Sequence, residues 1–244
     1  MPLATIKKLS LKLGNAWVVK DVSLEIGEEK FGLVGESGSG KTLLAKTLLG
    51  TLPTGTEVEA ETLDWKGKDL KTLSEKEWRK KIRGKEIAMI LQDPKASLNP
   101  LMKIGKQLQE VAVAISPLSA LREVSLSPQV LDMYPYQLSG GMGQRVMIAM
   151  MLMQHPKLLI ADEIVSALDA SLQEGILQLI QKGVDQENMS LIWIGHDLRQ
   201  ACRFCDRIGV MKEGQMIAVD TPEELEKHDH PYLRRLFEAA LLRE

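Results

Sequence analysis

The sequence predicts an α/β fold built on a largely parallel sheet, and three observations carry that prediction. Short apolar runs alternate with helical patterns along most of the chain, the order that gives parallel strands with covering helices. A glycine-rich break, Gly35 to Gly40, separates a strand-like run from a helical one. Further on, the apolar run Leu158–Ala161 ends on two carboxylates, Asp162 and Glu163. A buried strand that delivers polar groups at its C-terminal edge reads in this way.

Taken in order, Val18 to Ile26 and Phe31 to Val34 read as strands, and Thr42 to Gly50 as a helix closed by a glycine. Lys85 to Gln92 contains another strand, IAMILQ. Across residues 93–139, prolines at 94, 100, 117, 128 and 135 interrupt a mostly helical pattern, which we read as an inserted helical lobe. A helix follows Gly140, then the strand Leu158–Glu163, a helix over Ser171–Lys182 and a strand ending at His196. Ile208 to Val219 predicts a β-hairpin turning at Glu213-Gly214. In Thr221-Pro222-Glu223-Glu224, threonine can cap a helix, proline suits its first position, and Glu224 can complete a capping box.

Composition narrows the function classes. The 244 residues are 44% apolar and 26% charged, enough for a substantial core, and the net charge of −2 offers no basic field for nucleic acid. The longest apolar stretch, around Val146 to Met153, falls far short of the roughly 20 residues that cross a bilayer. The N-terminus shows no signal-peptide block. Two cysteines, Cys202 and Cys205, give no disulfide framework and fit a reducing cytosol, and their C-x-x-C spacing lacks the second pair that a zinc site needs. Work at a membrane would therefore require recruitment by other chains.

The chemistry lies in three motifs. Gly35, Glu36, Ser37, Gly38, Ser39, Gly40, Lys41 and Thr42 fit the phosphate-loop pattern G-x-x-x-x-G-K-[ST] in full. Glycines let backbone N–H groups turn onto phosphate oxygens; Lys41 would hold the β- and γ-phosphates of ATP, and Thr42 would ligate Mg²⁺. A glycine turn that merely precedes a lysine is the alternative, and the flanking strand and helix argue against it. Asp162 would support the Mg²⁺, while Glu163 could polarise the attacking water as general base; a solvated strand end is the alternative. The third motif, LSGGMGQR (Leu138–Arg145), makes a second anion-binding nest from Ser139, Gly140 and Gly141 at a helix start. By itself it could equally be a turn with a capping serine.

With these motifs in this order, the chain resembles the ABC-transporter ATPases over nearly its whole length. LSGGMGQRVMIAM resembles the family signature. Gln92, in LQDPKASLNP, matches the loop glutamine that senses metal and nucleotide, so that Thr42, Gln92 and Asp162 would form the Mg²⁺ set. SALD, Ser166 to Asp169, matches the loop that crosses the dimer interface, and His196 in IGHDL matches the switch histidine. The resemblance implies a P-loop NTPase (RecA-like) core with an antiparallel β-subdomain and an inserted helical subdomain, all one domain over residues 1–244. It also implies two ATPase chains sharing two ATP molecules, with Ser139 to Gly141 serving the partner's nucleotide. Two transmembrane permease subunits and a solute-binding protein would complete an importer, with this chain on the cytoplasmic face of the inner membrane.

SLNP, QRVMIAM and the tail HPYLRRLFEA (His230–Ala239) resemble the oligopeptide, dipeptide and nickel importers. The longer cysteine-bearing tail of many peptide importers has no counterpart here, which points to the shorter nickel or metal-chelate type. Departures are Ile164 and Val165 where Pro-Thr is usual, Gly143 where Arg is usual, and Gly195 where Thr is usual. The position that would carry the adenine-stacking aromatic falls near Leu13; Trp17 could substitute, or could simply pack on the β-lobe. A soluble ABC ATPase with no transporter, and a regulatory subunit that does not turn over, are the rival readings.

Overall fold

The computed structural model describes residues 1–91, 97–113, 115–164 and 170–241. Its strands are β1 (Ala4–Leu13), β2 (Ala16–Ile26), β3 (Lys30–Gly35), β4 (Thr56–Glu59), β5 (Thr62–Trp65), β6 (Lys68–Asp69), β7 (Ile87–Ile90), β8 (Leu158–Asp162), β9 (Ser190–Gly195), β10 (Arg207–Lys212) and β11 (Gln215–Asp220). Its helices are α1 (Lys41–Thr47), α2 (Ile104–Val111), α3 (Pro117–Glu123), α4 (Gly140–Leu152), α5 (Ala170–Gln186), α6 (Leu198–Phe204), α7 (Pro222–Glu226) and α8 (Pro231–Leu241), with shorter turns between. The chain divides into two compact units, Met1–Ile82 with Ser190–Glu244, and Arg83–Met189.

In the first unit β1 pairs antiparallel with β2, β4 and β5, and β6 closes on β5, which is the expected antiparallel β-subdomain. β1 escapes a strict period-2 reading because Ile6, Leu9 and Leu11 are buried while Lys7 and Lys8 both face out. The register shifts between Ile6 and Leu9, and Lys8 takes a φ of 49°. This is a bulge: one extra residue returns the following apolar side chains to the buried face. The same unit holds β3 between β10 and β9, all parallel, the arrangement expected of an α/β core. β11 returns antiparallel to β10 through Glu213 and Gly214, whose φ values of 50° and 84° give the turn predicted for this hairpin.

In the second unit β7 and β8 are parallel, and every residue of β8 is buried, so its apolar run packs on both faces. The interrupted stretch before α4 is short helices and turns. Pro117, Pro128 and Pro135 each open one rather than break it, because the first helical turn needs no N–H from them. Ser116 caps α3 by accepting from Ser119 N–H at 3.1 Å.

Three expected boundaries shift, and one expected capping contact differs. The helix expected to reach Gly50 ends at Thr47, since Leu48, Leu49 and Gly50 N–H groups fall back to acceptors three residues earlier at 3.1, 3.1 and 3.2 Å. The strand expected over Lys85–Gln92 spans only Ile87–Ile90 among the described residues. Glu163 leaves the strand expected to contain it, at a φ of 46°. Thr221 caps α7 as expected, by accepting from Glu224 N–H at 3.4 Å, but Glu224 turns its carboxylate to Lys227 Nζ at 2.7 Å. A full charge nearby competes better for that carboxylate than a backbone amide does.

Candidate functional site

The phosphate loop joins β3 to α1 in the first unit. Gly38 and Gly40 stand at φ 78° and 98° with Ser39 between them outside that region, an alternation that turns successive N–H groups to one side. Two glycines are demanded by space as well. A Cβ on Gly35 would stand 2.1 Å from the Met211 carbonyl oxygen, and one on Gly40 would stand 2.7 Å from that of Val18. Lys41, 4% exposed, donates from Nζ to the carbonyls of Gly35 at 2.7 Å and Glu36 at 2.8 Å, with Ser39 Oγ at 3.4 Å. Its ammonium is thus tucked under the loop, where a cation, backbone amides and small hydroxyls fit a triphosphate. Glu36, Ser37 and Gly38 are exposed, and Thr42 follows Lys41 in the first turn of α1.

β9 in the same unit ends at Gly195, followed by exposed His196 and by Asp197, which caps α6 by accepting from Arg199 N–H at 2.9 Å. Gly195 has a local reason: a Cβ there would meet the Trp193 indole nitrogen at 3.1 Å, tighter than ordinary contact. Trp17 is 41% exposed on β2, so it is not packed away in the β-lobe, and Lys12 Nζ stands 5.9 Å from its ring centre. The next residue, Val18, is the one whose carbonyl abuts Gly40 of the phosphate loop. Leu13 is also exposed and has no aromatic ring to offer.

The second unit carries Asp162, 6% exposed at the end of β8. Glu163, half-buried in the left-handed region at φ 46°, is a conformation that costs a non-glycine residue on the order of 1–3 kcal/mol and persists where surroundings impose it. Ile164 next to it is fully buried, and its carbonyl accepts a hydrogen bond from Gln144 Nε2 of α4. Gln144 is itself buried, with its Oε1 lacking a partner among the described residues. This link was not assigned from sequence; the QR pair in LSGGMGQR was the available signal. Thr42, in the first unit, carries a hydroxyl oxygen and Asp162, in the second, a carboxylate, and each taken by itself is a hard donor of the kind Mg²⁺ takes.

Ser139 caps α4, its Oγ accepting from Met142 N–H at 3.3 Å, with Gly140 exposed and Gly141 half-buried in the first turn. A Cβ on Gly140 would meet nothing within 4 Å, so that side of the turn is open. Gly143 is buried and donates its N–H to the Ser139 carbonyl at 3.0 Å; the helix starts in spite of three glycines in four residues. Gln92, Asp169 and the rest of SALD, with Val165, lie outside the described residues. Cys205 packs its sulfur against Gly32, and burial pushes its thiol up to about 12; burial likewise raises Cys202 to about 11. Both are free thiols. No described helix is long and apolar enough to cross a membrane.

Residues 19–166 match the family model described as ABC transporter. The dipeptide transport ATP-binding protein of Escherichia coli (strain K12) is 39% identical over 258 aligned positions, covering 98% of this chain and 78% of the relative. The oligopeptide transport ATP-binding protein of Haemophilus influenzae (strain ATCC 51907 / DSM 11121 / KW20 / Rd) is 39% identical over 257, covering 98% and 79%. An ATP-binding cassette solved as a dimer in a post-hydrolysis state, bound to ADP and Pi, superposes with a TM-score of 0.73 at 28% identity, covering 89% of this chain and 98% of that one. A subunit from Clostridium perfringens, part of an ABC transporter complex, shares the fold at a TM-score of 0.74 and 22% identity, covering 99% and 95%. A complete phosphate loop, a carboxylate pair after a buried strand and a Ser-Gly-Gly helix start therefore have a common explanation: the chain belongs to the ABC transporter family.

Proposed function

We propose that the chain is the ATP-binding and hydrolysing subunit of an ABC importer that takes up peptides. The observation that carries this reading is the phosphate loop, complete from Gly35 to Thr42, with Lys41 buried beneath it. It is supported by likeness, over nearly the full chain, to proteins named for dipeptide and oligopeptide transport. Nickel or metal chelates are the other cargo the sequence pattern allows.

In this assignment Gly35–Thr42 bind the phosphates, and Thr42, Gln92 and Asp162 would hold Mg²⁺, which would supply charge neutralisation to the phosphates. Glu163 accepts the proton of the attacking water, its left-handed backbone fixing where the carboxylate sits. His196 contacts the terminal phosphate. Ser139, Gly140, Gly141 and Asp169 serve a second ATPase subunit, non-identical by preference because Gly143, where Arg is usual, weakens this chain's own signature turn. Residues 1–244 act as one ABC domain, with 93–139 its helical lobe. The remaining partners are two transmembrane permease subunits and a solute-binding protein, which place the chain peripherally on the cytoplasmic face of the inner membrane, with no nucleic acid involved.

The test is purification from membranes, identification of the bound chains, and reconstitution in vesicles. Loading the solute-binding protein with short peptides should stimulate ATP hydrolysis. Stimulation by nickel chelate alone would move the cargo, and a chain that copurifies with no membrane protein would be the soluble ATPase instead.

A further inference from the structure

The C-terminal helix α8 brings an unusual side chain to the phosphate loop. Tyr232, on its first turn, is 5% exposed, and its hydroxyl is buried with no acceptor or donor in hydrogen-bond geometry among the described residues. A buried polar group left unsatisfied is costly, so a position that keeps one asks for a reason. The surroundings are those of the loop. The Met211 carbonyl abuts Gly35, and the next residue, Lys212, places Nζ 5.0 Å from the Tyr232 ring centre. The hydroxyl lies beside Glu36, whose carboxylate, after burial, is the main influence raising the phenol above its ordinary proton affinity; Glu36 N–H acts in the opposite sense. One to two turns on, Leu236, Ala239 and Ala240 of the same helix line a small cavity of about 90 Å³ with His196, Asp197 and Leu198. One helix therefore flanks both the phosphate loop and the histidine turn.

We propose that Tyr232 is a positioning residue for the phosphate loop: its buried hydroxyl, short of a partner and set beside Glu36, steadies the loop for nucleotide, and α8 thereby ties the loop to the His196 turn. The proposal rests on the reading that Gly35–Thr42 hold ATP. The hydroxyl can donate to the Glu36 carboxylate or accept from its amide, so a small loop movement satisfies it, and ATP binding is the event that selects that movement.

The test is Tyr232→Phe in the full chain with its copurifying subunits. It keeps the ring under Lys212 and removes only the hydroxyl. KM for ATP should rise about fivefold, the worth of one hydrogen bond, with kcat within about twofold. Adding Glu36→Gln should raise KM no further than the larger single effect, because both act through one contact. An unchanged KM in Tyr232→Phe, or a double variant whose KM is the product of the single effects, overturns the proposal. Lys41→Ala is run alongside: loss of ATP binding there with no effect of Tyr232→Phe sinks this inference alone, whereas retained binding in Lys41→Ala sinks the reading beneath it.

Discussion

Gln144, one residue beyond the last glycine of LSGGMG, donates its side-chain N–H to the main-chain carbonyl of Ile164, the residue after Glu163. Both are buried, so the bond is shielded from water. It ties the helix that opens at the Ser-Gly-Gly turn to the strand end that carries the two carboxylates, within one compact unit. Removing it leaves the Ile164 carbonyl without its donor next to a residue already held at a positive φ. A lost buried hydrogen bond of this kind costs about 1–3 kcal/mol. Gln144→Ala should therefore lower turnover by about 5- to 100-fold with nucleotide affinity intact, because the bond acts on Glu163 rather than on the phosphates. Equal loss of kcat and of ATP binding, measured by steady-state kinetics and equilibrium titration, would show that the bond supports the fold generally.

Lys41→Ala should abolish measurable ATP binding. The ammonium is held by two loop carbonyls, so its removal both loses the cation for the phosphates and leaves the Gly35 and Glu36 carbonyls without that donor. Charge-assisted contacts contribute roughly 1.5–3 kcal/mol each, more in an enclosed site. Near-normal affinity by equilibrium dialysis would exclude the loop as the nucleotide site.

Glu163→Gln preserves side-chain shape and removes the proton acceptor. ATP should bind as before, and hydrolysis should fall by about 10²–10⁴-fold, the range for losing a general base. Wild-type turnover would withdraw the base from Glu163 and favour the regulatory-subunit reading.

Trp17 is exposed, and Val18 beside it touches the phosphate-loop glycine Gly40. Stacking on adenine should quench its fluorescence in a variant with Trp65, Trp78 and Trp193 replaced, and Trp17→Ala should weaken ATP binding by about 1–3 kcal/mol. No quenching together with unchanged affinity would leave adenine without an aromatic partner at this position.

Hydrolysis should depend steeply on protein concentration, because Ser139–Gly141 are assigned to the nucleotide of a second chain. The purified chain diluted alone should lose activity, and its copurifying ATPase should restore it. Full activity as a dilute monomer would refute the shared site. Strong activity as a homodimer would refute only the unlike partner.

The motif chemistry was legible in the chain because it depends on residues close in sequence. Eight consecutive residues supply the loop's glycines, its cation and its hydroxyls, and LLIADE encodes both a strand and its carboxylates in six. The hairpin at Glu213-Gly214 was equally local, since two residues that tolerate positive φ decide the turn. Long-range pairing decided the rest. β1 was hidden because its bulge breaks the alternation on which a strand is read, and only pairing with β2, β4 and β5 restores its buried face. The strained backbone of Glu163, the reach of Gln144 across 20 positions to Ile164, and the arrival of Tyr232 beside Glu36 arise when distant segments compete for the same interior space. Packing sets that competition, and no local run of residues encodes its outcome.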